Sequence, residues 1–279
     1  MPTIRANGLE IAYDVAGAGP PLVMLHGATS SGRESFGAQV PSLAAAFRVY
    51  LPDARGHGST RWDTAAGFHA AWLVDDLESF VDVLGLTTFH LMGYSMGAMT
   101  ALAFAARVPQ RVLTLVAIGA AAEQEPRASV VRRLMDPARV VRDEPAWAAD
   151  LARTHDPVQG PGAWQGLLTA IAGDVAMQPA LSAAALRGIT APTLVMCGDR
   201  DPLVPVGQAR DLARQVRDGR LFVAPDSGHD VLVRQPALAL EALVGFYRST
   251  ETIAYARALA AASLAVDTVW TTAKEPSDR

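Results

Sequence analysis

The feature that most constrains this chain is Gly93-Tyr94-Ser95-Met96-Gly97, set between a short apolar run over 88–92 and a helical pattern over 95–108 that Pro109 closes. A G-x-S-x-G pattern between strand and helix specifies a sharp turn. Gly93 and Gly97 leave space where a Cβ would collide with neighbouring backbone. Such a turn lifts the serine hydroxyl above the end of a sheet. It also aims the free N–H groups of the helix N-terminus at whatever the hydroxyl attacks.

The surrounding pattern supplies that sheet. Strand signals occur over 9–15, 22–25, 48–51, 88–92, 112–118, 193–196 and 221–224. Helical signals end at Phe47 and run over 68–84, 95–108, 206–216 and 236–247. Strands alternating with helices predict an α/β fold, with a mostly parallel central sheet and helices on both faces. The alternation stops over 123–187, where prolines at 126, 137, 145, 157, 161 and 179 punctuate helical pieces without a strand. This segment reads as a helical cap inserted in one connection. The expected division is a core of 1–122 and 188–249, a cap of 123–187 and a C-terminal helix and tail of 250–279. In that last part Tyr255, Leu259, Ala262, Val266 and Trp270 form one stripe. A helix docked on the parent domain is expected there, with a homo-oligomer contact as the alternative, and a disordered tail from Lys274 to Arg279.

Bulk properties narrow the class. Half of the 279 residues are hydrophobic, enough for a sizeable core. A net charge of -4 provides neither the basic footprint of a nucleic-acid binder nor a polybasic patch for a membrane surface. Cys197 is the single cysteine, so no disulfide forms within the chain. Met1 to Glu10 has no apolar run and no segment reads as a membrane span, so a cytoplasmic protein is expected. H-E-x-x-H, cysteine pairs, G-x-G-x-x-G and Walker loops are all absent from the sequence, and neither metal nor cofactor is expected.

A serine hydroxyl is a weak nucleophile and needs a base. His229 lies in Asp226-Ser227-Gly228-His229-Asp230, directly after the strand pattern over 221–224. That places it at a carboxyl end of a parallel sheet, where sites form. The base in turn needs an acid to fix its tautomer. Asp199 and Asp201 both follow the strand ending near Cys197, and Asp201, four residues beyond, has the longer reach. His26 is expected to brace its loop, His57 to hold a turn, His90 to be buried in its strand and His69 to lie on the surface. His155 falls in the cap, with a substrate contact as the alternative. Apolar cap residues, among them Met135, Trp147, Trp164 and Met177, are expected to fill cores and to roof an apolar pocket. Arg200 and Arg234 are the charges expected near the site, which favours a neutral or weakly polar substrate.

The order Ser95, Asp201, His229 resembles the α/β-hydrolase superfamily. So do His26-Gly27 after an early strand, Asp53-x-Arg55-Gly56-x-Gly58, the serine turn, the stretch from Gly198 to Pro205, and Gly228-His229. The likeness covers residues 8 to 247, and the cap resembles that of the esterase, enol-lactonase and C–C hydrolase branch. The resemblance implies Asp201 as the acid, followed by Val204-Pro205. It also implies an oxyanion hole made by the backbone N–H groups of Ala28 and Met96. The loop reads His26-Gly27-Ala28-Thr29, without the additional glycines common in C–C hydrolases. The expectation is therefore a cofactor-free serine hydrolase of the carboxylesterase type, acting on a largely apolar small-molecule ester or lactone. A C–C bond hydrolase or enol-lactonase is the first alternative, and a non-catalytic small-molecule receptor the second.

Overall fold

The short apolar runs assemble into one eight-stranded sheet. The computed structural model describes residues 1–250, so the helix and oligomer contact expected from Thr250 to Trp270, and the tail beyond, lie outside the described residues past Thr250. The strands are β1 (Thr3–Ala6), β2 (Leu9–Ala16), β3 (Pro21–Leu25), β4 (Arg48–Pro52), β5 (Phe89–Tyr94), β6 (Val112–Ile118), β7 (Thr193–Gly198) and β8 (Gly219–Ala224). Their spatial order is β1-β2-β4-β3-β5-β6-β7-β8. β2 is antiparallel to both neighbours, and every other pair is parallel.

Burial follows position in the sheet. All six residues of β7 are buried, as a strand covered on both faces requires, whereas β1 and β8 at the edges alternate with exposed positions. β1 is an addition to the sequence reading, which assigned no element to the first eight residues. Its signal is Asn7-Gly8, whose φ angles of 47° and 78° make the tight hairpin turn that pairs Ala6 with Leu9.

Helices cover both faces. α1 (Gly32–Phe36) and α2 (Val40–Leu43) lie between β3 and β4; α3 (Ala70–Val83) and α4 (Met96–Arg107) flank β5 in sequence. α3 buries Leu73, Leu77, Phe80 and Val81, the stripe its spacing predicts. Between β6 and β7 come α5 (Arg127–Leu134), α6 (Pro137–Asp143), α7 (Pro145–Gln159), α8 (Ala163–Gly173) and α9 (Ala183–Gly188), with no strand among the described residues. Val140, Leu151, Trp164 and Leu168 of this segment form a small core of their own, while Leu167 and Ile171 join the main one. α10 (Val206–Gln215) connects β7 to β8, and α11 (Val231–Arg234) follows β8. Met1–Ala239 make one compact unit and Leu240 onward a second, in which residues 240–250 are helical. Among the described residues no helix is long and apolar enough to cross a membrane.

One buried ion pair ties three of these pieces together. Arg55, in the loop after β4, donates from Nε and Nη2 to the two carboxylate oxygens of Asp76 on α3, each at 2.6 Å. The guanidinium stacks on Trp72, and Asp76 also accepts from Nδ2 of Asn7 in the β1–β2 turn at 2.7 Å. Both side chains are about one-tenth exposed (10% and 9%). Removing one partner leaves the other as an uncompensated buried charge. Asp76→Ala is therefore expected to lower stability by roughly 3–5 kcal/mol, read as a shift in the urea unfolding midpoint.

Candidate active site

Ser95 stands where β5 gives way to α4, at φ 52° and ψ -111°, a conformation that a residue with a side chain adopts only when its surroundings impose it. Its N–H donates to the Ile118 carbonyl on β6 at 2.8 Å, and its carbonyl accepts from the N–H groups of Ala98 and Met99. The flanking glycines are sterically required. A Cβ on Gly93 would lie 2.2 Å from the Gly97 carbonyl oxygen, and one on Gly97 would lie 2.1 Å from that of Leu25 on β3.

The ends of β7 and β8 bring two more side chains to this turn. Nε2 of His229 is 2.8 Å from Oγ of Ser95, and Nδ1 is 2.7 Å from Oδ2 of Asp201. A carboxylate only accepts, so Nδ1–H donates to Asp201 and Nε2 is free to accept the serine proton. The Asp201 side chain is inaccessible to solvent, and its Oδ1 accepts from the N–H groups of Leu203 and Val204 at 2.8 and 3.0 Å. Asp199 is exposed and serves the loop instead. Its Oδ1 accepts from the Ser227 N–H at 3.1 Å, and that hydrogen bond holds its carboxyl below the usual carboxylate range. Tyr94 packs beside the imidazole with ring centroids 5.4 Å apart. On the other strand, Gly119 has φ 64°, and a Cβ there would come within 2.8 Å of His229 Cε1. Gly119 was not among the residues the sequence pointed to, although its place directly after the strand pattern over 112–118 is a signal.

Ala28 and Met96 line the same cavity of about 220 Å³ as Ser95 and His229. Its wall includes Met99 of α4 and, from the helical segment between β6 and β7, the apolar Val131, Leu134, Met135 and Ile171. A second chamber of about 320 Å³ adjoins Ala28, Thr29 and Tyr94, and Trp147, Asp150 and Asp230 help line it. Of the other cap residues weighed, Trp164 is buried in the cap's own core and Met177 is half-exposed.

Three buried histidines clamp the loop that carries Ala28. His26 donates from Nδ1 to the Gly27 carbonyl at 2.7 Å and accepts the Ala54 N–H at Nε2 at 2.9 Å. His155, from α7, accepts the Gly58 N–H and donates to the carbonyl of Thr29, a residue at φ 68°. His155 is thus part of the clamp, not of the cavity lining. His57 lies between them, with ring centroids 5.1 Å from His26 and 5.6 Å from His155, and donates from Nδ1 to the Arg55 carbonyl. Burial pushes all three below the ordinary imidazole value, and the neighbouring histidines push His57 further. His90, against Thr114 within the sheet, is pushed down to about 4 by burial.

The charges expected near the site are elsewhere engaged. Arg200 pairs with Asp226 at 2.5 Å and Arg234 with Asp230 at 3.0 Å, all four side chains well exposed. The charge that does line the cavity is Arg127, the first residue of α5. No local pattern in the sequence marks it for this position.

Residues 22–242 match the model of the Alpha/beta hydrolase family, and the chain belongs to that family. It is a hydrolase of the α/β fold. The pyrrolizixenacetamide deacetylase of Xenorhabdus hominickii is 24% identical, over 85% of this chain and 94% of its own length. The 2-hydroxy-6-oxo-2,4-heptadienoate hydrolase of Pseudomonas putida is 28% identical, over 83% and 90%. A solved thermophilic esterase from Thermogutta terrifontis matches with a TM-score of 0.70 at 25% identity, covering 89% of this chain and 97% of that one.

The clamp makes stability depend on pH with a definite sign. Each histidine has a folded pKa below its unfolded value of about 6.5, so unfolding takes up protons once the pH falls through that value. The urea midpoint is expected to fall between pH 7.5 and pH 5.5. Replacing His57 by Gln should flatten the slope by up to about 1.4 kcal/mol per pH unit, the contribution of one proton. A midpoint that stays level or rises on acidification contradicts the neutral clamp.

Proposed function

We propose that this protein hydrolyses carboxylic esters or lactones with a small to medium, largely apolar acyl part, through an acyl-enzyme on Ser95. The observation that carries the reading is the unbroken hydrogen-bond line from Ser95 Oγ through His229, both on the wall of a largely apolar cavity, to a buried Asp201. His229 takes the serine proton as Oγ attacks the carbonyl carbon. The C=O electron pair moves onto oxygen, between the N–H groups of Ala28 and Met96. Collapse of this intermediate breaks the bond to the leaving oxygen, which takes the proton from His229. Water then repeats the sequence and releases the acid. Proton transfer by a placed base contributes about 10²–10⁴-fold, and one oxyanion donor on the order of 3 kcal/mol.

Backbone strain at Ser95 supports catalysis over a receptor role, since a receptor gains nothing from an exposed, conformationally forced hydroxyl. The Pseudomonas putida relative, a 2-hydroxy-6-oxo-2,4-heptadienoate hydrolase, favours a second reading, C–C cleavage of a vinylogous diketone. Against C–C cleavage, the oxyanion loop here has Ala28 and Thr29 where further glycines are common in such enzymes.

Labelling with a fluorophosphonate is expected to modify the peptide bearing Ser95 alone, and Ser95→Ala to abolish both labelling and turnover of 4-nitrophenyl butyrate. Asp201→Asn should lower kcat by about 10³–10⁴-fold, because the carboxylate no longer fixes the imidazole tautomer. Asp199→Asn should change it only a few-fold. A label on another residue, or turnover retained in Ser95→Ala, overturns the assignment. A vinylogous diketone assayed in parallel decides between the two readings.

A further inference from the structure

Arg127 is a buried cation with no carboxylate in direct contact, although Glu125 attracts it from a distance. It is 6% exposed and lines the cavity above Ser95. Nη1 donates to the Val175 carbonyl at 2.8 Å and Nη2 to the Gln178 carbonyl at 2.5 Å. Nε is buried with no hydrogen-bond partner. Among the described residues no carboxylate forms an ion pair with it, and nearby Glu125 stands 4.0 Å from Arg132 instead. Two carbonyl dipoles accept from two of five N–H donors, and the attraction of Glu125 is outweighed by the cost of burial, so the charge is under-compensated. Burying a guanidinium this way is costly, and buried charges elsewhere are paired, as Arg55 is with Asp76.

The surroundings define what would compensate it. Apart from Tyr94 and His229, neither of which carries a negative charge, the rest of the wall has no ionisable side chain: Met99, Val131, Leu134, Met135 and Ile171 are apolar. An anion entering this cavity meets one cation in an environment of low polarity, where attraction is stronger than in water. A planar guanidinium matches a carboxylate in particular. We propose that Arg127 binds a carboxylate at the far end of the acyl part of the substrate. Resting on the reading of Ser95 as nucleophile, this narrows the substrate class to half-esters and lactones whose acyl part is apolar in the middle and anionic at its end. Arg127 is then a specificity residue that touches the substrate but takes no part in the bond changes.

The rival role is a brace between α5 and the turn at Val175 and Gln178, which would serve every substrate alike. Two esters separate the roles: 4-nitrophenyl hydrogen adipate and its neutral methyl ester. The wild-type protein is expected to prefer the anionic ester by at least about tenfold in kcat/KM, the preference residing in KM. Arg127→Met should lower kcat/KM for the anionic ester at least about tenfold more than for the neutral one, and Arg127→Lys should restore part of the difference. No preference in the wild type, or equal losses on both esters in Arg127→Met, overturns the proposal. Should Arg127→Met not fold, the wild-type ratio decides alone. Calorimetric titration of adipate and hexanoate against Ser95→Ala reads the carboxylate site without turnover. Tighter binding of adipate supports it and equal binding overturns it, so a failure of the Ser95 chemistry remains distinguishable from a failure at Arg127.

Discussion

Everything in this site hangs on how closely the Ser95 turn approaches β3. The turn is tolerable only because Gly97 lies against the Leu25 carbonyl with no Cβ between, and because Gly93 lets the first turn of α4 fold back over β5. That contact forces Ser95 into a φ of 52° and points its hydroxyl out of the sheet. The strain, of order 1–3 kcal/mol for such a residue, persists because the main core over-determines it. β5 is central, hydrogen-bonded to β3 and β6, and α4 is buried along most of its length.

Parallel strands then do the assembling. They deliver their carboxyl ends to one edge, so the turns after β5, β7 and β8 converge although Ser95, Asp201 and His229 are far apart in sequence. Each of the three is locked by its own local device. Ser95 is held by the Ile118 carbonyl, Asp201 by two loop N–H groups, and His229 by a ring slot that needs Gly119 on one side and has Tyr94 on the other. The connection that follows β6 leaves from the same edge, which is why α5 and α8 line the cavity. The histidine clamp joins this connection to the loop of Ala28, since His155 comes from α7 and its partners from the loops after β3 and β4. Burial keeps these rings neutral even though Asp53 pulls the other way on His26 and His155.

The candidate site was largely readable from the chain because Ser95, Asp201 and His229 each sit in a local pattern: a glycine-framed turn, an Asp in a loop after a buried strand, and a Gly-His after another. Asp201 and Asp199 were separable by reach, and their different hydrogen bonds show why reach matters. Asp199 is spent on the Ser227 N–H before it can turn toward the imidazole. β1 escaped because its four residues bury only Ala6 fully and so lack an apolar run, although the Asn7-Gly8 turn announced it. The roles of His155 and Arg127 had no local pattern at all. Both lie in a helical segment whose alternation says which residues are apolar but not which core they join.

The sequence by itself determined the α/β alternation, the serine turn and the order of its partners, because these follow from local sterics and from the period of apolar residues. Only the tertiary structure decided which charge faces the cavity. Arg200 and Arg234 looked near and are engaged at the surface, while Arg127, which no sequence signal singled out, lines the wall. The reason is that a charge's surroundings are set by the packing of segments distant in sequence. Here those segments are α5 against the turn at Val175, and no periodicity in either one encodes their meeting.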